Sequence, residues 1–356
     1  MPTTDTWDLL FDRDDLTRHE VREVSPALLR PGQVRLAVER FGLTTLTATY
    51  ALFGDSPLRF FDAFPAPQGF GRVPVWGFAR VVESRAEGVA EGSRFFGYLP
   101  MSTHFTVTPE PVAGGFLDAG QQAVPHDWYR TYEAVAPDAG DLDDLRALLH
   151  PLFPCSFTLA EVIDQQRTQG VKSVLISSAS CRTALGLAEL LLRRDDLSVT
   201  GVTSGEHKSF VLERKLHDSV LSYDELGTDL VTGPTVFIDF TNSAERIRAI
   251  YRHAGDQLRT TFLAGFTHPS TSFAPPEVGD PQPQQYFTPA VEEQIMAEVG
   301  TDAYRSRFRQ AEEEFLTRTQ SWMEVQRGSG PEAVADAFRS VLRGAHQPSA
   351  GMVLKP

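Results

Sequence analysis

The 356-residue chain has only two cysteines, Cys155 and Cys181. Two thiols cannot build a disulfide framework or a cysteine-based zinc centre. Basic charge is also short: 33 Lys and Arg face 47 Asp and Glu, a formal net charge of −14. That balance argues against a general binder of nucleic acid or of anionic membranes. No apolar run approaches the roughly 20 residues that span a bilayer. The N-terminal segment carries Asp5, Asp8 and Asp12 where a signal peptide would be basic, so a cytoplasmic protein is expected. Neither repeats nor low-complexity segments occur. What is present, 41% hydrophobic and 22% charged residues over a length that allows two domains, is the composition of a globular enzyme.

The stretch Lys172 to Leu192 organises the second half. Val174, Leu175 and Ile176 form an apolar run, Ser177 to Ser180 a polar turn, and apolar residues then recur at helical spacing from Thr183 to Leu192. Strand, turn and helix in this order open a nucleotide-binding βαβ unit, whose turn aims helix N-terminal amides at a phosphate. Laid over the glycine-rich dinucleotide loop, Ala179, Cys181 and Ala184 fall where three glycines would stand. Ala184 is compatible, because the third position only lets helix and strand pack closely. Cys181 narrows the approach to a pyrophosphate, while Arg182 and the hydroxyls of Ser178, Ser180 and Thr183 offer charge and donors in return. Taken alone, the pattern suits a plain α/β crossover as well as a cofactor loop.

Around this stretch, apolar runs at 197–204, 219–223, 235–240 and 260–266 alternate with helical spacing at 159–166, 208–215 and 243–253. Such alternation predicts a parallel, doubly wound sheet. Ahead of it, short strands at 34–41, 73–84 and 93–107, punctuated by glycine and proline, predict a small barrel or rolled sheet. Residues 109–125 read as a loop and Asp141 to Leu149 as an acidic-capped helix stopped by Pro151. Residues 269–289 are proline-rich and read as a loop. Helices are expected at 289–299, 302–324 and 331–344, and a returning strand at 350–354.

Candidate chemistry sits in three places. Residues 42–54 hold four threonines and Tyr50 in an apolar setting. They are either a β-rich core segment whose hydroxyls bond the backbone, or a hydroxyl-lined pocket floor with Tyr50, Thr47 and Thr44 as donors to a carbonyl. His104 follows Thr103 on a strand, and His268 lies at the carboxyl end of another, where open α/β sheets bind ligands. The 197–204 strand ends in Thr203 and Ser204, followed by Gly205-Glu-His-Lys208. An NAD enzyme places an acid there on the ribose diol, whereas Ser204 with Lys208 suits a 2′-phosphate. NADP(H) is therefore preferred over NAD(H), with Glu206 as a counter-signal.

The order of β-rich domain, linking helix, parallel-sheet domain and returning tail resembles the medium-chain dehydrogenase/reductase superfamily. Pro31-Gly-Gln-Val-Arg-Leu-Ala-Val38 is similar to its opening strand, Arg94-Phe-Phe-Gly97 to its turn-and-strand motif, and Gly330 to Gly344 to its C-terminal helix. A closer resemblance, to an uncharacterised reductase-like family of bacteria and fungi, rests on Thr49-Tyr-Ala51, Pro74-Val-Trp-Gly-Phe-Ala79 and Gly97-Tyr-Leu-Pro-Met-Ser-Thr-His104. It continues in Ser178-Ala-Ser-Cys-Arg-Thr-Ala-Leu-Gly186, Gly201-Val-Thr-Ser204 and Gly265-Phe-Thr-His268. The chain departs from that family at Leu46 and Thr47, where asparagines are usual, and at Arg182, where Lys is usual.

The resemblance implies an α/β chain with a GroES-like domain over 1–150, completed by about 289–356, and a Rossmann-type domain over 151–288. Tyr223 falls where the NADP-linked quinone-reductase branch places a phosphate-contacting tyrosine, and residues 44–50 fall where that branch borders the nicotinamide. Zinc-dependent members need a Gly-His-Glu segment and early ligands; here Trp76-Gly-Phe78 stands instead and no cysteine precedes Cys155, so metal-free chemistry is expected. The expectation is a zinc-independent, NADPH-dependent reductase of a ketone or enone in a small, largely apolar metabolite, with a homodimer as the candidate assembly. The alternatives are a non-redox lyase, cyclase or isomerase on the same fold, and a ligand-binding protein with a vestigial nucleotide cleft.

Overall fold

The computed structural model of the chain describes residues 6–55, 57–136, 140–227, 230–231, 233–267, 274–345 and 347–356. The backbone forms two compact units, Met1–Pro151 with Met323–Pro356, and Leu152–Trp322.

The first unit opens on β1 (Trp7–Asp12) and β2 (His19–Glu23), an antiparallel pair. In β3 (Val34–Leu43) Val34, Leu36 and Val38 face inward and their neighbours outward, the period of two read from the sequence. Then come α1 (Thr45–Leu52), β4 (Phe70–Gly71), β5 (Pro74–Ser84), β6 (Arg94–Pro100) and β7 (His104–Val107). Strands β3, β5 and β6 are the spine of the main sheet. Gly77 lets β5 lie against β3, since a Cβ there would come 2.1 Å from the Arg40 carbonyl oxygen.

Residues expected to be a loop instead form the hairpin β8 (Pro109–Val112) and β9 (Gly115–Asp118), turned by Gly114 at φ +85. Strand β8 is an edge of the sheet, the place where prolines without an N–H are tolerated. Strand β10 (Thr131–Ala134) and α2 (Asp141–Leu149) follow. Helix α2 is fastened by Arg94, only 4% exposed, which bonds Asp143 at 2.7 Å and Glu39 of β3 and lies 4.3 Å from the Phe78 ring centre.

The second unit contains α3 (Phe153–Thr168), β11 (Ser173–Ser177), α4 (Arg182–Leu191), β12 (Ser198–Thr203), α5 (Lys208–Arg214), β13 (Ser219–Ser222) and β14 (Thr235–Asp239). It continues with α6 (Ala244–Ala254), β15 (Leu258–Leu263), β16 (Gln284–Gln285), α7 (Thr288–Val299) and α8 (Thr301–Thr319). All sheet pairs are parallel, in the order β13-β12-β11-β14-β15-β16. Every residue of β11 is buried. Val174 and Ile176 pack with Leu159, Ile163 and Leu187 on one face, and Leu175 with Phe237, Ile247 and Ile250 on the other. A strand covered on both faces reads as the continuous apolar run seen in the sequence.

The expected boundary near 289 needs correction. Helices α7 and α8 belong to the second unit, because Tyr304, Phe308 and Phe315 lie on the side of α8 that meets Phe153 and Phe157 of α3, with ring centres 5.3–5.4 Å apart. Helix α8 also ends at Thr319, short of the expected 324. The chain then re-enters the first unit as β17 (Glu324–Ser329), crosses over in α9 (Pro331–Leu342) and ends in β18 (Ala350–Lys355), which lies between β17 and β3. Strand β17 left no mark in the sequence because most of its residues are exposed and polar.

Candidate active site

In the parallel sheet the strand order reverses between β11 and β14, and their carboxyl ends are pinned together by Asp239. Its fully buried carboxylate accepts the Ser177 hydroxyl, the Thr241 hydroxyl at 2.8 Å and the Asn242 N–H at 2.6 Å, while Ser177 Oγ accepts the Phe240 N–H at 3.0 Å. Burial pushes the Asp239 carboxyl up, and these donors pull it back. Asp239 and Ser177 were not singled out from sequence. The available signal was an acid closing the apolar run Thr235-Val-Phe-Ile-Asp239.

The turn after β11 is built without glycine. Ser178 takes the left-handed conformation itself, at φ +49, and its N–H donates to Tyr223 Oη at 2.9 Å. Ala179 is fully buried and its N–H donates to the Val202 carbonyl at 3.0 Å, tying the turn to β12. Opposite it a Cβ on Gly201 would lie 2.9 Å from the Ala179 Cβ, so the close packing that a glycine loop provides is obtained from the facing strand. Ser180 Oγ accepts the Thr203 hydroxyl at 3.2 Å and lies 3.4 Å from His207 Nδ1.

Cys181 is the N-cap of α4, its sulfur accepting the Ala184 N–H at 3.4 Å. Burial pushes this thiol up to about 11, so it is a neutral cap and not a thiolate nucleophile. Arg182 is the first residue of α4, and burial lowers its guanidinium to about 10. The Thr183 carbonyl accepts the Ser156 hydroxyl at 2.8 Å, and Ala184 is fully buried where a larger side chain would lift the helix from the sheet.

At the tip of β12 the Ser204 hydroxyl oxygen is buried and has no hydrogen-bond partner among the described residues. Glu206 beside it is exposed. Lys208, expected to complete this site, is instead held by Glu225: its Nζ meets both carboxylate oxygens, at 2.7 and 2.5 Å. Lys208 and the Ser222 N–H hold the Glu225 carboxyl down to about 2. Tyr223 lies under the Arg246 guanidinium, 4.3 Å from its ring centre. The structure therefore brings together Ser178 with Tyr223, and Ser180 with Thr203 and His207, and turns Lys208 aside.

Of the remaining candidates, Thr44, Thr47, Tyr50 and His104 lie in the first unit. Residues 45–52, weighed as a β-rich core segment, are helix α1. Thr44 and Thr47 form a capping box, with the Thr44 N–H donating to Thr47 Oγ1 at 3.3 Å, and the Thr49 hydroxyl donates to the Thr45 carbonyl at 3.2 Å. Reciprocal capping outweighs the weak helix preference of β-branched threonine, so these hydroxyls serve the backbone. Tyr50 is 1% exposed, and its Oη accepts the Trp76 indole N–H at 2.9 Å. Phe60, Tyr98 and Tyr129 surround its ring at 4.7, 5.2 and 6.0 Å. Burial raises its pKa well above the usual value, against the Trp76 bond. An indole only donates, so the Tyr50 proton is left for another acceptor, and none is found among the described residues. The Tyr98 hydroxyl is likewise buried without a partner among the described residues, and neither Tyr98 nor Trp76 was singled out from sequence as a site residue.

His104 sits on β7 opposite Ala37, with Nδ1 buried and without a partner among the described residues. Burial, with Arg35, lowers its pKa. No hydrogen bond or ring contact among the described residues joins it to Tyr50, Thr44 or Thr47. His268 lies outside the described residues. Among those described, no three His, Cys, Asp or Glu side chains are grouped to hold a metal ion, and no helix is long and apolar enough to cross a membrane.

A GroES-like β-rich unit and a Rossmann-type parallel sheet in one chain make up the fold of the medium-chain dehydrogenases/reductases. The crystal structure of S. aureus TarJ in complex with NADPH matches with a TM-score of 0.60 at 11% identity, over 98% of each chain. CurA from Vibrio vulnificus in complex with NADPH gives 0.56 at 13% identity, over 95% of this chain and 94% of that one. Galactitol-1-phosphate dehydrogenase from Escherichia coli gives 0.53 at 15% identity, over 98% and 100%. Within this fold class, a family model matches residues 41–347, and the chain belongs to that family, the proteins of unknown function DUF2855. None of the curated proteins matches it.

Proposed function

We propose that this chain is a zinc-independent oxidoreductase that binds NADPH and reduces the carbonyl or activated double bond of a small, largely apolar metabolite. The observation that carries the reading is the tip of β12, which lacks a carboxylate for a ribose diol and presents the buried, unsatisfied Ser204 hydroxyl. TarJ and CurA, which share the fold, were crystallised with NADPH.

In this reading the second unit is the cofactor-holding part. Ser178, Ser180, Cys181, Arg182 and Thr183 would face the pyrophosphate, with Ala184 letting α4 pack closely behind them, and Thr203, Ser204 and Tyr223 would face the adenosine end. The bound dinucleotide supplies the hydride. The first unit supplies the groups that hold the substrate oxygen. Tyr50 donates its proton as a hydrogen bond to that oxygen, because the donor-only Trp76 indole occupies its lone pair and leaves the proton for another acceptor. A phenol buried to a pKa well above the usual value polarises a carbonyl without ionising. Thr44 and Thr47 position Tyr50 by capping the helix that carries it. His104, whose pKa is lowered by burial, and His268 complete the catalytic candidates.

The test is equilibrium titration of the purified protein with NADPH and NADH, followed by turnover assays on a panel of ketones and enones. Tyr50→Phe is expected to lower kcat by about 100-fold or more, the usual cost of losing one hydrogen-bond donor to a developing oxyanion. Absence of binding at millimolar NADPH removes the proposal. A second reading, a non-redox lyase or isomerase, is favoured by Cys181, whose sulfur already takes an amide of α4 that a phosphate would otherwise use. Turnover without net oxidation of the nicotinamide would select it.

A further inference from the structure

The Lys208 charge at this end of the site is already paired. Its ammonium is spanned by both oxygens of Glu225, and Glu225 is itself fixed by accepting the Ser222 N–H at 2.7 Å. A phosphate placed at Lys208 would face that carboxylate. His207 stands one residue earlier and is differently disposed. Its backbone N–H donates to the Ser204 carbonyl at 3.1 Å, a tight turn that brings the two residues together. The Thr203 hydroxyl donates to Ser180 Oγ, so the Ser180 proton is free to be donated to His207 Nδ1, 3.4 Å away, in the tautomer protonated at Nε2. An imidazole that accepts at Nδ1 carries its proton on Nε2, so the relay presents Nε2–H as a donor. At the other end of that turn the Ser204 hydroxyl is buried and without a partner among the described residues.

Resting on the NADPH reading above, we infer that His207 and Ser204, and not Lys208, read the 2′-phosphate, with the Thr203–Ser180 pair orienting the imidazole. Nε2–H and the Ser204 hydroxyl donate to phosphate oxygens, and the Lys208–Glu225 pair stays closed beside them. The phosphate end of the site is thus selected by hydrogen-bond donors on the β12 tip.

The experiment measures calorimetric binding of 2′,5′-ADP, 5′-AMP, NADPH and NADH to the full chain. Wild type should prefer 2′,5′-ADP to 5′-AMP and NADPH to NADH. His207→Ala should weaken 2′,5′-ADP and NADPH by roughly 10- to 100-fold, the worth of a hydrogen bond to a charged group, while 5′-AMP and NADH change little. His207→Lys should restore most of the preference. Ser204→Ala should cost a smaller, still phosphate-selective loss, and covers the case in which His207→Ala fails to fold. Lys208→Ala should leave the preference intact, and Glu225→Gln, which releases the Lys208 charge, should tighten both phosphate-bearing ligands. A preference lost in Lys208→Ala and kept in His207→Ala overturns the inference while leaving NADPH binding standing. A wild type that binds neither dinucleotide overturns both.

Discussion

Glu189 gives a prediction whose size follows from the structure. It lies on α4, the helix that follows the turn after β11, with its side chain 11% exposed and 3.2 Å from Arg318 of α8. Burial raises its pKa from 4.5 to about 7; Arg318 and Arg193 pull it down and Glu314 pushes it up. The folded state therefore holds this proton more tightly than the unfolded chain does. The contribution is fully present below about pH 4.5 and is lost as pH rises through about 7. At about 1.4 kcal/mol per pH unit the gap amounts to about 3 kcal/mol, and screening around the half-exposed Arg318 reduces it to about 2 kcal/mol. Glu189→Gln keeps the shape and cannot ionise. Urea unfolding of both proteins at about pH 5 and about pH 8 should show the wild type losing about 2 kcal/mol more than the variant over that interval. Parallel pH profiles for the two would refute the reasoning, because the ionisation of Glu189 is the source of the difference.

Three substitutions test the architecture around the sites. Ser178→Gly removes a left-handed non-glycine residue at φ +49 and should raise stability by about 1 kcal/mol, read as a higher thermal midpoint. Arg94→Met removes the buried guanidinium from Asp143 and leaves Glu39 with Arg80, and should cost about 3 kcal/mol in chemical unfolding. Arg94→Lys should not rescue it, since a point charge cannot bridge both while stacking on Phe78. Trp76→Phe leaves the buried Tyr50 oxygen without its donor, and should cost about 1–3 kcal/mol with a change in the near-ultraviolet tyrosine spectrum. An unchanged spectrum would place the Tyr50 hydroxyl elsewhere.

The parts of the fold that were legible in the sequence are those whose burial pattern repeats locally. Val174 to Ile176 marked β11 because a parallel strand covered on both faces is apolar throughout, and β3 was marked by its alternation. The parts that were not legible lack such a pattern. Strand β17 is polar and exposed, β8 carries two prolines that only an edge position permits, and α1 rests on a capping bond that β-branched residues disguise. At the site, Ser204 and the absence of an acid at the strand tip were readable because they are matters of residue type. The diversion of Lys208 to Glu225 and the placing of His207 on Ser180 were not.

The sequence by itself determined the element types, the alternation that makes a parallel sheet, and the inventory of hydroxyls and aromatics open to chemistry. The tertiary structure alone decided the strand order, the side of the boundary on which α7 and α8 pack, and which of those hydroxyls are already spent. The physical reason is range. Periodicity, capping and turn preference act over a few residues, whereas Ser178 meets Tyr223 across 45 positions and Tyr50 meets Trp76 across 26 only when strand pairing and packing bring them together. A hydroxyl's chemistry depends on whether its partner is backbone, another side chain or nothing, and that is settled only when the chain has folded.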